Sequence, residues 1–309
     1  MSPKERGHQV RHVSVSADRD GQRLDNFLVG QLPGVPRSLV YRLVRTGQVR
    51  VNGGRCKPMK KLRAGDDVRI PPVTTDTSQP GRVPSGLVAD IESRIISQND
   101  DFIIIDKPSG LAVHGGSGLK FGLMDVLSTW SEDIRPVHRL DRATSGLWML
   151  ACNHQALVRL QRLFSERRME KRYLALLSGE VREDHLTVDR PLKKIRDQSG
   201  QHRVIAADDG LTACSHFRVL ERLGGYTYVE IEIETGRTHQ IRAHAAAIGH
   251  PLAGDDRYNS GAAPTGLKRL FLHAHFLRVP WSEELIFNAP LPEELSSVLT
   301  DLRRPHVQD

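Results

Sequence analysis

Apolar positions at the start of the chain follow helical spacing and then strand spacing. Leu24, Phe27 and Leu28 recur every three to four residues. A turn at Pro33-Gly34 separates them from a second stripe, Leu39, Val40, Leu43 and Val44. Ser38 is placed to cap this second helix and Gly47 to end it. Val49 and Val51 then alternate up to Asn52-Gly53, the dipeptide favoured in two-residue hairpin turns. After Ala64-Gly65-Asp66, a strand at Val68–Ile70 closes on Pro71-Pro72. Residues 21–72 thus read as two short helices and a small sheet, a small α/β domain. Residues 1–20 are polar and are expected to be disordered or extended. Residues 73–86, VTTDTSQPGRVPSG, have a linker's composition.

Residues 87–303 change rhythm. Ile95-Ile96, the turn Asn99–Asp101 and Phe102–Ile105 predict a β-hairpin ending at Lys107-Pro108. Trp148–Ala151 continues an apolar strand, and Asn153 can cap a helix whose buried side is Leu157, Leu160, Leu163 and Phe164. Arg172–Leu177 reads as a strand. Phe217–Leu220 and Tyr226–Glu234 read as a hairpin around Gly224-Gly225, with Val229, Ile231 and Ile233 alternating against glutamates. A helix follows from a cap at Thr238 and stops at Gly249-His250-Pro251. Hairpins with interspersed helices predict an α+β domain with a mainly antiparallel, mixed sheet, not a doubly wound parallel one.

Charge sharpens the reading of the first unit. Residues 21–72 hold eleven Lys and Arg against three Asp, a surplus of eight, although the whole chain carries only +7. Arg42 and Arg45 are three apart on the second helix, away from the Leu39/Leu43 stripe. Such a row suits the phosphates of a folded RNA, the alternative being a solvated face. No apolar run approaches a membrane span. The N-terminus has no signal-peptide core. Cys56, Cys152 and Cys214 lie far apart, without a metal knuckle. These features suit a reducing cytoplasm.

Two segments are dense in chemistry. In Arg135–Gly146, Asp141 lies between Arg139 and Arg142. Neighbouring arginines favour an ionised carboxylate, which can act as nucleophile or base or can simply form a structural salt bridge. In Thr235–His244, Arg237, His239 and Gln240 fall on a turn and helix start that favours anions, with Arg242 on the helix behind them. His239 and His244 are poorly spaced to share a metal, so none is expected. Tyr173 shares one side of a strand with Ala175, as a core aromatic or as a wall of a site. No phosphate-binding loop or dinucleotide fingerprint occurs, so no nucleotide cofactor is expected.

The stretches VHRLDRATSGLWMLA, EKRYLALLSGEV, TGRTHQIRAH, GHPLAGDDRY and LFLHAHFLRV, in this order, resemble the RluA family of pseudouridine synthases. The opening DKPSGLAVHGGSGL supports this. The run SLVYRLVRTGQVRVNGGRCKPMKKLRAGDDVRI resembles an S4-type RNA-binding module. The resemblance covers residue 21 to about 303 and implies conversion of uridine to pseudouridine in 23S (large-subunit) ribosomal RNA, without cofactor or metal. A monomer is expected, since the sequence offers no obvious exposed apolar stripe. It implies that Asp141 is the catalytic group and that Arg139 fills the gap left by the flipped uridine. Tyr173 would pack on the uracil and is a candidate for removing the proton at C5. Arg242 would pair with Asp141. Whether Asp141 attacks C1′ or removes a sugar proton stays open. Ala143, Trp148 and the short loop Asn259–Gly266 depart from the family pattern and bear on which uridines are chosen. The rival reading, an RNA-binding assembly factor without catalysis, would be favoured by a missing acid or arginine; none is missing.

Overall fold

The computed structural model describes residues 9–32, 35, 37–73, 83–111, 121–196 and 202–304. In the first unit, α1 (Leu24–Gln31) and α2 (Arg37–Arg45) pack on a three-stranded sheet with β3 (Asp67–Ile70) between β1 (Arg11–Ser14) and β2 (Arg50–Val51). Phe27 and Leu28 meet Val40, Leu43 and Val44 over Val51, Val68 and Ile70 in a core of their own. The stretch from Arg11, expected to be disordered or extended, is thus a sheet strand. It pairs Val13 with Val68 in register, and Val15 beyond it is buried.

Other local expectations need correction. α2 begins at Arg37, so Ser38 lies inside it and is not its cap. Asn52 and Gly53 do form a tight turn, with φ 50° and 76°, the positive values that a type I′ turn requires. Beyond it only a single Val51–Gly54 bridge forms. β2 pairs instead with β3, which buries Val51 against Val68, something the polar run after Gly54 cannot offer. The Pro33-Gly34 turn and most of the linker lie outside the described residues. The linker's end does not: α3 (Ser85–Glu92) starts before residue 87 and buries Ile91.

The second unit is built on one large sheet. Its strands are β4 (Ile95–Gln98), β5 (Phe102–Lys107), β6 (Arg135–Pro136), β7 (Ser145–Ala151), β8 (Glu170–Ser178), β9 (His185–Asp189), β12 (Cys214–Arg222), β13 (Tyr226–Ile233), β14 (Leu272–Pro280) and β15 (Glu284–Asn288). The order is β4-β5-β7-β14-β8-β13-β12-β9, with β15 on β14 and β6 on β7. A separate hairpin of β10 (Leu192–Arg196) and β11 (His202–Ala206) packs on α6 (Gln240–Ala247). The pairings are antiparallel except β7 with β14. The α+β, mainly antiparallel mixed sheet expected from the sequence is therefore present. Around it stand α4 (Leu123–Trp130), α5 (His154–Ser165) and α7 (Glu293–Arg303). Asn153 caps α5 as expected, its side chain accepting from Ala156 N at 2.8 Å.

The parallel β7–β14 contact is short, Ser145 with His273 and Gly146 with Ala274. Gly146 has φ 107°, and a Cβ on it would collide with the Ala274 carbonyl oxygen. Only glycine allows so close an approach. Beside it the Ser145 hydroxyl lies 2.9 Å from His273 Nδ1 and accepts from Arg269 Nη2 at 3.0 Å. This junction fixes the start of β7, and with it the loop that carries Asp141. Gly146→Ala is expected to lower stability by about 3 kcal/mol or more, through strain at φ and backbone overlap; thermal unfolding of the purified variant checks this.

Candidate active site

Three segments meet over the middle of this sheet to line one cleft: residues 139–144 ahead of β7, Tyr173 on β8, and residues 233–242 from β13 into α6, with Leu272 at the floor. The Asp141 segment is pinned from behind. Trp148 Nε1 donates to the His138 carbonyl at 3.0 Å, and His138 Nε2 accepts from Met149 N at 3.2 Å. Burial and then the Lys171 charge push His138 down to about 4, which keeps its ring neutral and able to accept. Trp148, unusual by sequence, thus anchors the loop. A second latch comes from the end of β5. Ser109 Oγ donates to Ala143 O at 2.7 Å, Gly110 N to Arg142 O at 2.8 Å, and Lys107 Nζ to Pro108 O, Leu111 O and Arg142 O at 2.9, 3.4 and 3.3 Å. The rest of that segment, residues 112–120, lies outside the described residues.

The charges around Asp141 are not its sequence neighbours. Arg139 is exposed and makes no ion pair among the described residues. Arg142 turns away, Nε donating to Gly110 O at 2.9 Å. Successive side chains of a turn diverge, so flanking arginines do not clamp the carboxylate. The titratable group facing Asp141 Oδ2 is His239, with Nε2 at 3.8 Å, and the Asp141 side chain is 18% exposed. Arg242, expected to pair with Asp141, is held elsewhere. Nε and Nη2 reach Asp255 at 2.7 and 2.5 Å, and Nη2 reaches Asp256 at 3.3 Å. Its guanidinium lies 5.1 Å from the Tyr258 ring centroid. It still lines the cleft with Asp141, but as half of a buried pair whose disruption typically costs about 3–5 kcal/mol. Tyr173 is buried to 7% exposure. Burial, then the Asp141 charge, raise its hydroxyl well above the ordinary value, so it stands as a phenol and not a phenolate. That weakens its candidacy as a base at C5 and favours the packing role.

A match to the RNA pseudouridylate synthase family spans residues 101–247, and one to the S4 domain spans residues 22–68. The chain is 43% identical to ribosomal large subunit pseudouridine synthase C of Escherichia coli strain K12, over 95% of this chain and 97% of that one. It is 41% identical to the protein of that name from Pasteurella multocida, over 95% and 94%. The chain belongs to the RNA pseudouridylate synthase family. Among solved structures it resembles human RNA pseudouridylate synthase domain containing 4, with a TM-score of 0.59, 26% identity and coverage of 71% of this chain and 96% of that one. Human RNA pseudouridylate synthase domain containing 1 gives 0.55, 28%, 68% and 94%.

Within this pseudouridine synthase the other predicted residues divide. Gln240 is buried and fully used. Its Oε1 accepts from Thr235 Oγ1 and Arg237 N at 2.7 and 3.0 Å, and its Nε2 donates to Cys214 O and Ser215 Oγ at 2.8 and 3.0 Å. With all four capacities filled it shapes the turn and has nothing to offer RNA, contrary to expectation. Arg237 is exposed, held by one bond from Nε to Thr212 O at 3.0 Å. α6 starts at Gln240, so Thr238 is not its cap; His239 takes that place in left-handed conformation. His244 faces the sheet, its Nδ1 2.9 Å from Ser215 Oγ and its Nε2 2.9 Å from Arg190 O. Arg42 and Arg45 are exposed on the first unit's α2. Among the described residues one group, Cys214, His216 and Glu234, has metal-ligand spacing. It lies outside the cleft, and a His216 Nε2–Glu234 contact of 3.0 Å accounts for it.

Sequence reasoning missed Lys107, Asp255 and Tyr258. Both motifs holding them were in view, but a lysine before proline and an acid pair in a loop give no periodic or spacing signal. Lys107 is wholly buried. Burial and then Arg269 push it from 10.5 to about 7, against Asp141 and Asp106. Between these two pH values the unfolded chain binds more protons, so this group makes stability rise with pH, by up to about 1.4 kcal/mol per unit. The melting temperature of the wild type is therefore expected to rise relative to Lys107→Met between pH 7 and 9; parallel pH profiles would contradict it.

Proposed function

We propose that this enzyme converts uridines of 23S (large-subunit) ribosomal RNA to pseudouridine, with Asp141 as the group that acts on the sugar. The observation that carries the reading is the contrast between two carboxylates. Asp255 is saturated by Arg242, whereas Asp141, in the cleft that Arg242 also lines, has no ion pair closer than 3.8 Å and stays available. The names of the relatives supply the RNA class.

The reaction exchanges the bond from C1′ to N1 for one from C1′ to C5, and the C5 proton is lost as N1 gains one. Atoms and electrons balance within the nucleotide, so the stoichiometry calls for no cofactor. The target uridine must leave its stack, at a cost of a few kcal/mol. Arg139, which lines the cleft and is exposed, fills the gap in this reading, and Tyr173, also lining it, packs on the extruded base. Asp141 then attacks C1′ or removes a sugar proton. Arg242, locked on Asp255, supplies fixed positive charge to the cleft. Arg237 at its rim, and Arg42 and Arg45 on the S4 unit, hold phosphates. A monomer in the cytoplasm suffices for this reading; no described helix is long and apolar enough to cross a membrane.

Asp141→Ala is expected to fold and to bind ribosomal RNA, yet to form no pseudouridine on protein-free large-subunit RNA, mapped by chemical probing. Wild-type turnover by the variant would overturn the assignment. Replacing Arg42 and Arg45 together by Gln is expected to flatten the dependence of log K on log salt by about 0.7 per lost phosphate contact. An unchanged slope in a binding titration would place those contacts elsewhere.

A further inference from the structure

His239 has φ 52°, a conformation that costs a residue with a side chain about 1–3 kcal/mol and persists where the surroundings enforce it. The strain sets its ring between two partners. Nδ1 lies 3.1 Å from the Tyr258 hydroxyl, and Nε2 lies 3.8 Å from Asp141 Oδ2. The Tyr258 hydroxyl accepts from Val204 N at 3.0 Å, which leaves its own proton available to donate to Nδ1. A ring that accepts at Nδ1 carries its proton on Nε2, the atom facing Asp141.

Tyr258 is itself placed by the carboxylate that holds Arg242, since its backbone N donates to Asp255 Oδ1 at 3.1 Å. The facing charges are Asp141 from the loop before β7, Arg242 on α6, and Asp255 and Arg257 from the loop after it. Burial pulls His239 below its ordinary value, against the opposing pull of Asp141, with Arg242 and Arg257 lowering it further. The neutral ring is thus the favoured form, with one N–H directed at the carboxylate.

We propose that His239 is a positioning residue for Asp141: its Nε2–H, with the tautomer set by Tyr258, closes onto the carboxylate when RNA fills the cleft and holds it in the orientation that meets the sugar. The inference rests on the reading of Asp141 as the reactive group. The remaining gap is about 1 Å, a looseness common before substrate binds, and a misplacement of that size can cost about 100-fold in rate. It differs from the RNA contact that the sequence alone suggested for His239, because the ring is turned inward, with 14% of the side chain exposed.

The test compares His239→Ala, His239→Gln, Tyr258→Phe and the double variant His239→Ala/Tyr258→Phe. Single-turnover pseudouridine formation is measured on a large-subunit RNA transcript, with binding measured separately and folding checked by thermal unfolding. His239→Ala is expected to slow the saturated rate by about 10- to 100-fold while the RNA Kd changes less than about twofold. His239→Gln, which keeps an N–H donor near the Nε2 position, is expected to recover most of the rate. Tyr258→Phe is expected to slow it by several-fold alone and by nothing further in the His239→Ala background.

A raised Kd with an unchanged saturated rate would overturn the inference in favour of an RNA contact. Additive effects, or a Gln variant no better than Ala, would overturn it as well. Should His239→Ala fail to fold, His239→Gln and Tyr258→Phe decide alone: near-wild-type rate for the first with a several-fold loss for the second supports it, and any other pair of rates overturns it. Asp141→Ala run alongside separates the two readings. Activity in that variant fells the Asp141 assignment, whereas an inactive Asp141→Ala beside a fully active His239→Ala fells this inference only.

Discussion

Much in this cleft turns on which carboxylate the buried Arg242 holds. A guanidinium buried this deeply needs a bidentate partner, since an unpaired buried charge is costly. Asp255 meets that need, with support from Asp256. Because the pair is closed between α6 and the loop after it, Asp141 is left without a strong counter-ion although it lines the cleft with Arg242. A carboxylate locked in a two-point ion pair has its lone pairs engaged; one facing a single histidine at 3.8 Å does not. Asp255 also positions the backbone at Tyr258, so one saturated acid organises the surroundings of the unsaturated one.

The sheet supplies the second constraint. Asp141, Tyr173 and the Thr235–Arg242 turn come from sequence positions far apart, and they meet because β7, β14, β8 and β13 are neighbours in that order. The β7–β14 contact is the sheet's parallel pairing and depends on a glycine where the two backbones nearly touch. Carbonyl groups captured by Lys107 and Ser109, and the indole of Trp148, hold the Asp141 loop against this frame. The loop is therefore ordered from two sides while its acid remains free, the combination that a preorganised site requires.

The two units divide the labour by charge. The S4-like unit has its own apolar core beneath α1 and α2 and turns Arg42 and Arg45 to solvent. In the catalytic unit the buried Arg242 is compensated within the fold by Asp255. In the proposed function, non-specific attraction to the phosphate backbone and selective chemistry on one nucleotide fall to different surfaces.

Local patterning was sufficient for much of the architecture. The stripes Leu24/Phe27/Leu28 and Leu39/Leu43, the Asn153 cap, the alternation in β13 and the hairpins β4–β5 and β12–β13 were all legible, because each is a short-range balance of side-chain burial against turn chemistry. The ordered motifs likewise identified the family. Strand β14 was not read as a strand because His273 and His275 interrupt its apolar pattern, nor was the β10–β11 hairpin, whose first strand carries Lys193, Lys194 and Arg196. At the site, sequence proximity misled. Arg139 and Arg142 adjoin Asp141 in the chain, yet Arg142 turns to Gly110 and Arg139 makes no ion pair with it, Gln240 is consumed inside the fold, and Arg242 pairs with an acid 13 residues on. Residue identity determined which charges were present; only the tertiary structure decided which of them touch, because a charged group takes the partner its buried position allows, whatever its place in the sequence.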